Sequence, residues 1–161
     1  MVSRTTPSTK PRTSGGAAIV GTEHGEGPGP EVMDANTLIG DAVVNDTGED
    51  LGKIEGIMLD ITAGKIAYAV LSFGGFLGMG NKLFAVPWSA FTLDTDQECF
   101  VLNVAKERLE GAPGFDKDHW PSMADPTWAS DLHTYYNARP YWDDEYETSR
   151  DVRSSAGRDI A

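Results

Sequence analysis

Gly74-Gly75-Phe76-Leu77-Gly78-Met79-Gly80-Asn81-Lys82 is the stretch nearest to a ligand-binding motif. A glycine loop ending in lysine is the start of a phosphate cradle, in which backbone N–H groups and an ammonium surround an anion. That chemistry needs Ser or Thr after the lysine, and here Leu83 follows Lys82. A dinucleotide loop needs a helix behind it, so that the pyrophosphate meets the helix N-terminus. The residues after Lys82 are Leu83-Phe84-Ala85-Val86-Pro87, which read as a strand. Phosphate and nucleotide cofactors are therefore not expected. The loop does offer apolar surface on a lightly restrained backbone. Phe76, Leu77 and Met79 are the expected contact for a protein partner or for a second copy of the chain.

The other candidate chemistry is carboxylate chemistry. Asp46, Glu49 and Asp50 share one turn, Asp94, Asp96 and Glu98 share another, and Asp116 and Asp118 stand beside His119. None of the groups has the glycine and distant glutamate of a calcium loop, so no metal site is expected. Closely spaced carboxylates do shift one another's pKa, and a hydrolase could use such a pair in a deep pocket. The histidines are scattered: His24 in the N-terminal arm, His119 before Trp120-Pro121, and His133 on the last helix. His133 falls off that helix's apolar stripe and reads as a surface residue. No Gly-x-Ser-x-Gly motif occurs, and Cys99 within a strand reads as a small core residue. No catalytic residue is assigned, and the chain is not expected to be an enzyme.

The elements that would carry these residues are mostly strands. Leu38–Asn45 is a first strand, closed by Asp46-Thr47-Gly48, where Asp and Gly supply turn chemistry. Lys53–Ile61 is a second, with Ile57, Leu59 and Ile61 on one face. Lys65–Gly74 is a third, apolar on both faces as a central strand must be. Leu83–Trp88 is a fourth, and Phe91–Thr95 with Cys99–Val104 makes a hairpin around Asp96-Gln97-Glu98. Ala105–Glu110 predicts a short helix. Asp125 as N-cap with Pro126 behind it predicts a longer one over Pro126–Asn137, with a stripe of Trp128, Leu132, Tyr135 and Tyr136. Tyr141 and Trp142 are expected to lock onto the same surface.

Charge narrows the partners. The chain has 13 basic and 25 acidic residues, a net −12, and the span 31–147 holds 21 acidic against 7 basic. Nucleic-acid affinity comes largely from Lys and Arg on phosphates, so this surface repels nucleic acid, and it repels anionic lipid as well. It suits a basic protein surface. A single cysteine excludes an internal disulfide and fits a cytoplasmic location. The longest uncharged run, Ile66–Asn81, contains four glycines and is too short and broken to span a bilayer, so no membrane insertion is expected.

The ordered set Leu38-Ile39-Gly40, Gly48, Leu51-Gly52-Lys53-Ile54, Asp60 before Gly64, and Tyr68-Ala69-Val70 resembles the PRC-barrel domain. That domain forms the cytoplasmic part of the photosynthetic reaction-centre H subunit and part of a ribosome-maturation factor. The continuation is similar to free-standing bacterial PRC-barrel proteins: Ser72-Phe73-Gly74-Gly75-Phe76-Leu77-Gly78, Lys82-Leu83-Phe84-Ala85-Val86-Pro87-Trp88, Ala112-Pro113-Gly114-Phe115, and Pro140-Tyr141-Trp142. The resemblance implies a mainly β fold, a small six-stranded β-barrel with a C-terminal helical extension. The expected organisation is a disordered arm over 1–33, the barrel over 34–104, a helical extension over 105–142 packed on the barrel, and a disordered charged tail over 143–161. The implied function is a non-catalytic cytoplasmic binding or scaffolding module, acting through protein contacts and self-association as a homodimer. The alternative is an accessory subunit of a photosynthetic or other electron-transfer complex, docked on its cytoplasmic face.

Overall fold

A computed structural model describes residues 16–21, 32–74 and 82–143. Seven strands form one sheet: β1 Ala18–Val20, β2 Ala42–Val44, β3 Asp50–Asp60, β4 Lys65–Phe73, β5 Lys82–Pro87, β6 Phe91–Asp94 and β7 Cys99–Leu102. Their order is β1-β6-β7-β2-β3-β4-β5, with β1–β6 and β2–β7 parallel and the other neighbours antiparallel. Three helices accompany them: α1 Ala35–Leu38, α2 Lys106–Glu110 and α3 Pro126–Tyr135.

The mainly β expectation holds, but six strands closed into a barrel is not what forms. Among the described residues β5 and β6 do not pair, although one 3₁₀ turn over Trp88–Ala90 joins them. Their free edges are taken by other chain segments. β6 receives β1, with Ala18 opposite Thr92 and Val20 opposite Asp94. β5 receives Phe115, whose N–H and C=O bond Leu83 at 2.8 and 2.9 Å. β1 also corrects the reading of 1–33 as wholly disordered: the apolar triplet Ala-Ile-Val adds the seventh strand, and the Val20 carbonyl accepts from Thr95 N–H at 2.9 Å.

The first predicted strand is shorter than expected. Asp34 accepts a hydrogen bond from Asn36 N–H at 2.9 Å and so caps α1, which takes Leu38 into a helical turn. β2 then starts only at Ala42. β4 is the central strand that its apolar run predicts, with Ala67 to Leu71 all buried. β3 departs from the alternation. Ile57 is half-buried, but Leu59 is 57% exposed and Ile61, in the turn beyond the strand, is 82% exposed. That end of the β3–β4 hairpin runs past β2 and β5, so among the described residues no neighbouring strand covers it from either side.

The core is aromatic where the sheet turns from β5 into β6. Phe91 and Phe100 meet edge to face with centroids 5.6 Å apart, and Trp88 reaches Phe100 at 5.7 Å. Such pairs add to the area that they bury. α3 lies beyond this, starting where Asp125 accepts from Thr127 N–H at 2.9 Å with Pro126 in the first turn.

Candidate functional site

The acidic turns do structural work. Asn45 Oδ1 accepts from Thr47 N–H at 3.2 Å and Glu49 N–H at 2.8 Å, while Glu49 accepts from the Asn45 amide at 3.3 Å. Asp50 accepts from Gly52 N–H at 2.9 Å, and Asp94 from the N–H groups of Asp96 and Gln97 at 3.0 Å each. Short polar side chains that satisfy backbone donors in this way fix turns. Asp116, Asp118 and His119 are exposed in the loop after Phe115. Among the described residues no three His, Cys, Asp or Glu side chains converge on a metal position. Cys99 is buried, and burial, then Asp94 and Asp41, push its thiol pKa up, which keeps it protonated and weakly nucleophilic. Phe76, Leu77, Met79 and His24 lie outside the described residues.

The structure brings together a group that the sequence left scattered. The expected aromatic lock forms at Tyr141 and Trp142. The Tyr141 hydroxyl donates to Asp60 Oδ2 at 2.6 Å, and Ala63 N–H donates to Oδ1 at 2.9 Å. These bonds, Tyr141 first, hold the Asp60 carboxyl below the usual range, and burial with the Asp60 hydrogen bond raises the Tyr141 phenol. Ser89 Oγ donates to the Arg139 carbonyl at 2.8 Å, which ties the same segment to the turn after β5. Beneath it, Tyr68 packs edge-on against Trp128 at 5.3 Å and His133 at 5.6 Å, and His133 meets Trp142 at 4.8 Å.

His133 is therefore not a surface residue; it is 3% exposed. The helix stripe alone points it sideways, but Tyr141 and Trp142 fold back over it. These tertiary contacts, with Tyr68 from beneath, bury it, and no local spacing announces them. Its Nδ1 lies 2.7 Å from the Ala129 carbonyl, an acceptor, so Nδ1 carries the proton. Burial pushes its pKa below 6.5, with Ala129 and Asp143 opposing. A base with a lowered folded pKa is protonated first in the unfolded chain. Its contribution to stability is thus full above about pH 6.5 and falls as the pH drops through the folded value. Urea midpoints should fall more for the wild type than for His133→Gln between about pH 7.5 and about 5.5. Equal falls would mean that the ring titrates alike in both states.

Asp60, Tyr68, His133 and Tyr141 thus hold a proton donor, an acceptor and an imidazole within one cluster. The Tyr141–Asp60 bond and the ring contacts of His133 with Tyr68 and Tyr141 fasten the C-terminal segment to the β3–β4 hairpin. The span that holds the strands flanking this cluster, residues 30–109, matches the family model of the PRC-barrel domain. The chain carries a PRC-barrel domain. The PRC-barrel span takes in β2 through β7, while β1 precedes it and α3 with Tyr141 and Trp142 follows it. Half of the fastening cluster, Asp60 and Tyr68, is therefore PRC-barrel sequence, and the other half, His133 and Tyr141, is added by the chain beyond it. No curated protein matches the chain. Among the described residues no helix is long and apolar enough to cross a membrane.

Proposed function

We propose that this PRC-barrel protein is a non-catalytic binding or scaffolding module that works through protein contacts and associates with itself. The observation that carries the reading is the outer end of the β3–β4 hairpin, where Leu59 and Ile61 stand exposed. Large apolar side chains grouped in solvent favour contact with another surface. The Asp60 carboxylate between them is already committed, to Tyr141 and Ala63. A surface with net −12 on the chain would steer a basic partner toward such an apolar anchor.

The test is light scattering over a concentration series, joined to crosslinking and mass spectrometry in the native cell. The expected result is a dimer that forms with concentration, and a protein crosslinked near the β3–β4 turn. A monomer at every concentration that also crosslinks to nothing in the cell would overturn the proposal.

A further inference from the structure

We infer that the outer edge of β3, from Gly56 to Asp60, pairs antiparallel with the same edge of a second copy, centred on Met58. The inference rests on the self-association reading and names its surface. β3 has eleven residues, β2 only three, and the β2 pairing ends at Lys53. Two loop hydrogen bonds carry it to Ile54, where Gly40 N–H donates to the Ile54 carbonyl at 2.7 Å and Ile54 N–H to the Asp41 carbonyl at 3.0 Å. Among the described residues no strand or loop bond continues on that side over Gly56 to Leu59. The opposite side pairs with β4, from Gly56 opposite Val70 to Asp60 opposite Lys65, with one register shift between Met58 and Leu59. An unpaired row of N–H and C=O groups is a template for another strand, and proteins blunt it with lysine, proline or a β-bulge. Gly56-Ile57-Met58-Leu59 has no lysine or proline. The residue skipped on β3 is Glu55, before the segment, and the shift at Met58/Leu59 skips Ala67 on β4.

The sequence of this edge selects a second copy. In a two-fold antiparallel pair one residue sits on the axis opposite itself, and its neighbours pair in mirror order. With Met58 on the axis, Ile57 faces Leu59 of the second copy, and Gly56 faces Asp60. The one charged residue of the segment thus meets a glycine, and the exposed Leu59 is covered on both copies. Centring on Ile57 would set Asp60 opposite Ile54, whose outward groups are already bonded. Centring on Leu59 would draw Ile61 of the turn into the ladder. Centring on Asp60 would oppose like charges, which destabilises a pair. The Met58 register alone uses the whole free edge. Five residue pairs span about 17 Å, which belongs to the small, weak class of interface. Two chains of net −12 repel, so added salt should strengthen this dimer, whereas it would weaken docking on a basic partner.

A cysteine at the axis reads the register directly. Opposed Cα atoms in an antiparallel pair lie about 4.5–5.5 Å apart, within disulfide reach. In a Cys99→Ser background, Met58→Cys should oxidise to a covalent dimer, and Glu55→Cys, three residues from the axis, should not. Leu59→Lys, at an exposed position, should abolish the dimer in light scattering and leave the circular dichroism unchanged. A dimer that survives Leu59→Lys, with Met58→Cys uncrosslinked, overturns the β3 edge and leaves self-association standing. A wild-type monomer at every concentration and salt overturns both.

Discussion

Gly52→Ala should remove a large part of the protein's stability, a loss of about 4 kcal/mol. Two independent costs meet at this residue. Gly52 has φ +111°, a conformation that a side chain rarely adopts. Strain of that kind costs roughly 1–3 kcal/mol. A Cβ there would also stand 2.1 Å from the Ser72 carbonyl oxygen and 3.2 Å from Phe73 Cα. Those atoms are backbone of β4, so no rotamer change relieves the contact, and β3 must move from β4. Overpacking of a fixed neighbour costs roughly 1–3 kcal/mol more. The sum is a large part of the 5–15 kcal/mol that holds a typical domain together. Gly56→Ala in the same strand is the control. Nothing lies within 4 Å of a Cβ at Gly56, and its φ is not positive. That variant should change stability by less than about 0.5 kcal/mol. Urea unfolding of the two variants measures the contrast. Equal stabilities would show that β4 yields to the new methyl group.

The contrast between these glycines also marks what could be read from the sequence. Turn chemistry was legible because it is local. Asp125 caps α3 as its residue type announces. The turn after β2 forms where expected, but its side-chain acceptor is Asn45 and not Asp46. Asn45, Asp50, Asp94 and Asp125 each bond N–H groups two to four residues away. β4 was legible because a central strand must be apolar on both faces. The requirement at Gly52 was not legible, because it comes from the Ser72 carbonyl twenty residues later. The same holds for the sheet edges. Ala18–Val20 reads as part of a low-complexity arm until β6 offers it an edge, and once it binds, closure of β5 onto β6 is blocked. The exposure of Leu59 and Ile61 depends on β2 stopping short, which no residue of β3 encodes. Of the candidate contact residues, Phe76, Leu77 and Met79 lie outside the described residues, and the exposed surface falls instead on a strand whose alternation predicted one apolar face.

Tyr68 separates the fastening cluster's packing from its polar chemistry, and its two truncations should behave in opposite ways. The ring is 2% exposed and sits between Trp128 and His133. Tyr68→Ala removes both edge-to-face contacts and opens a cavity under α3, which should cost about 3–5 kcal/mol. The hydroxyl is different. Among the described residues it has no hydrogen-bond partner, and burial, then the Asp60 charge, push its pKa up to about 12. It is therefore protonated at any ordinary pH, and it adds an uncompensated polar group to the core. An unsatisfied buried hydroxyl carries a desolvation penalty of roughly 1–3 kcal/mol. Tyr68→Phe should then leave stability unchanged or raise it by about 1 kcal/mol. The ring makes its contacts with Trp128 and His133 without the hydroxyl. Chemical denaturation of both variants decides the matter. If Tyr68→Phe costs as much as Tyr68→Ala, the hydroxyl has a partner in solution, and the cluster of Asp60, Tyr68, His133 and Tyr141 becomes a polar site in its own right.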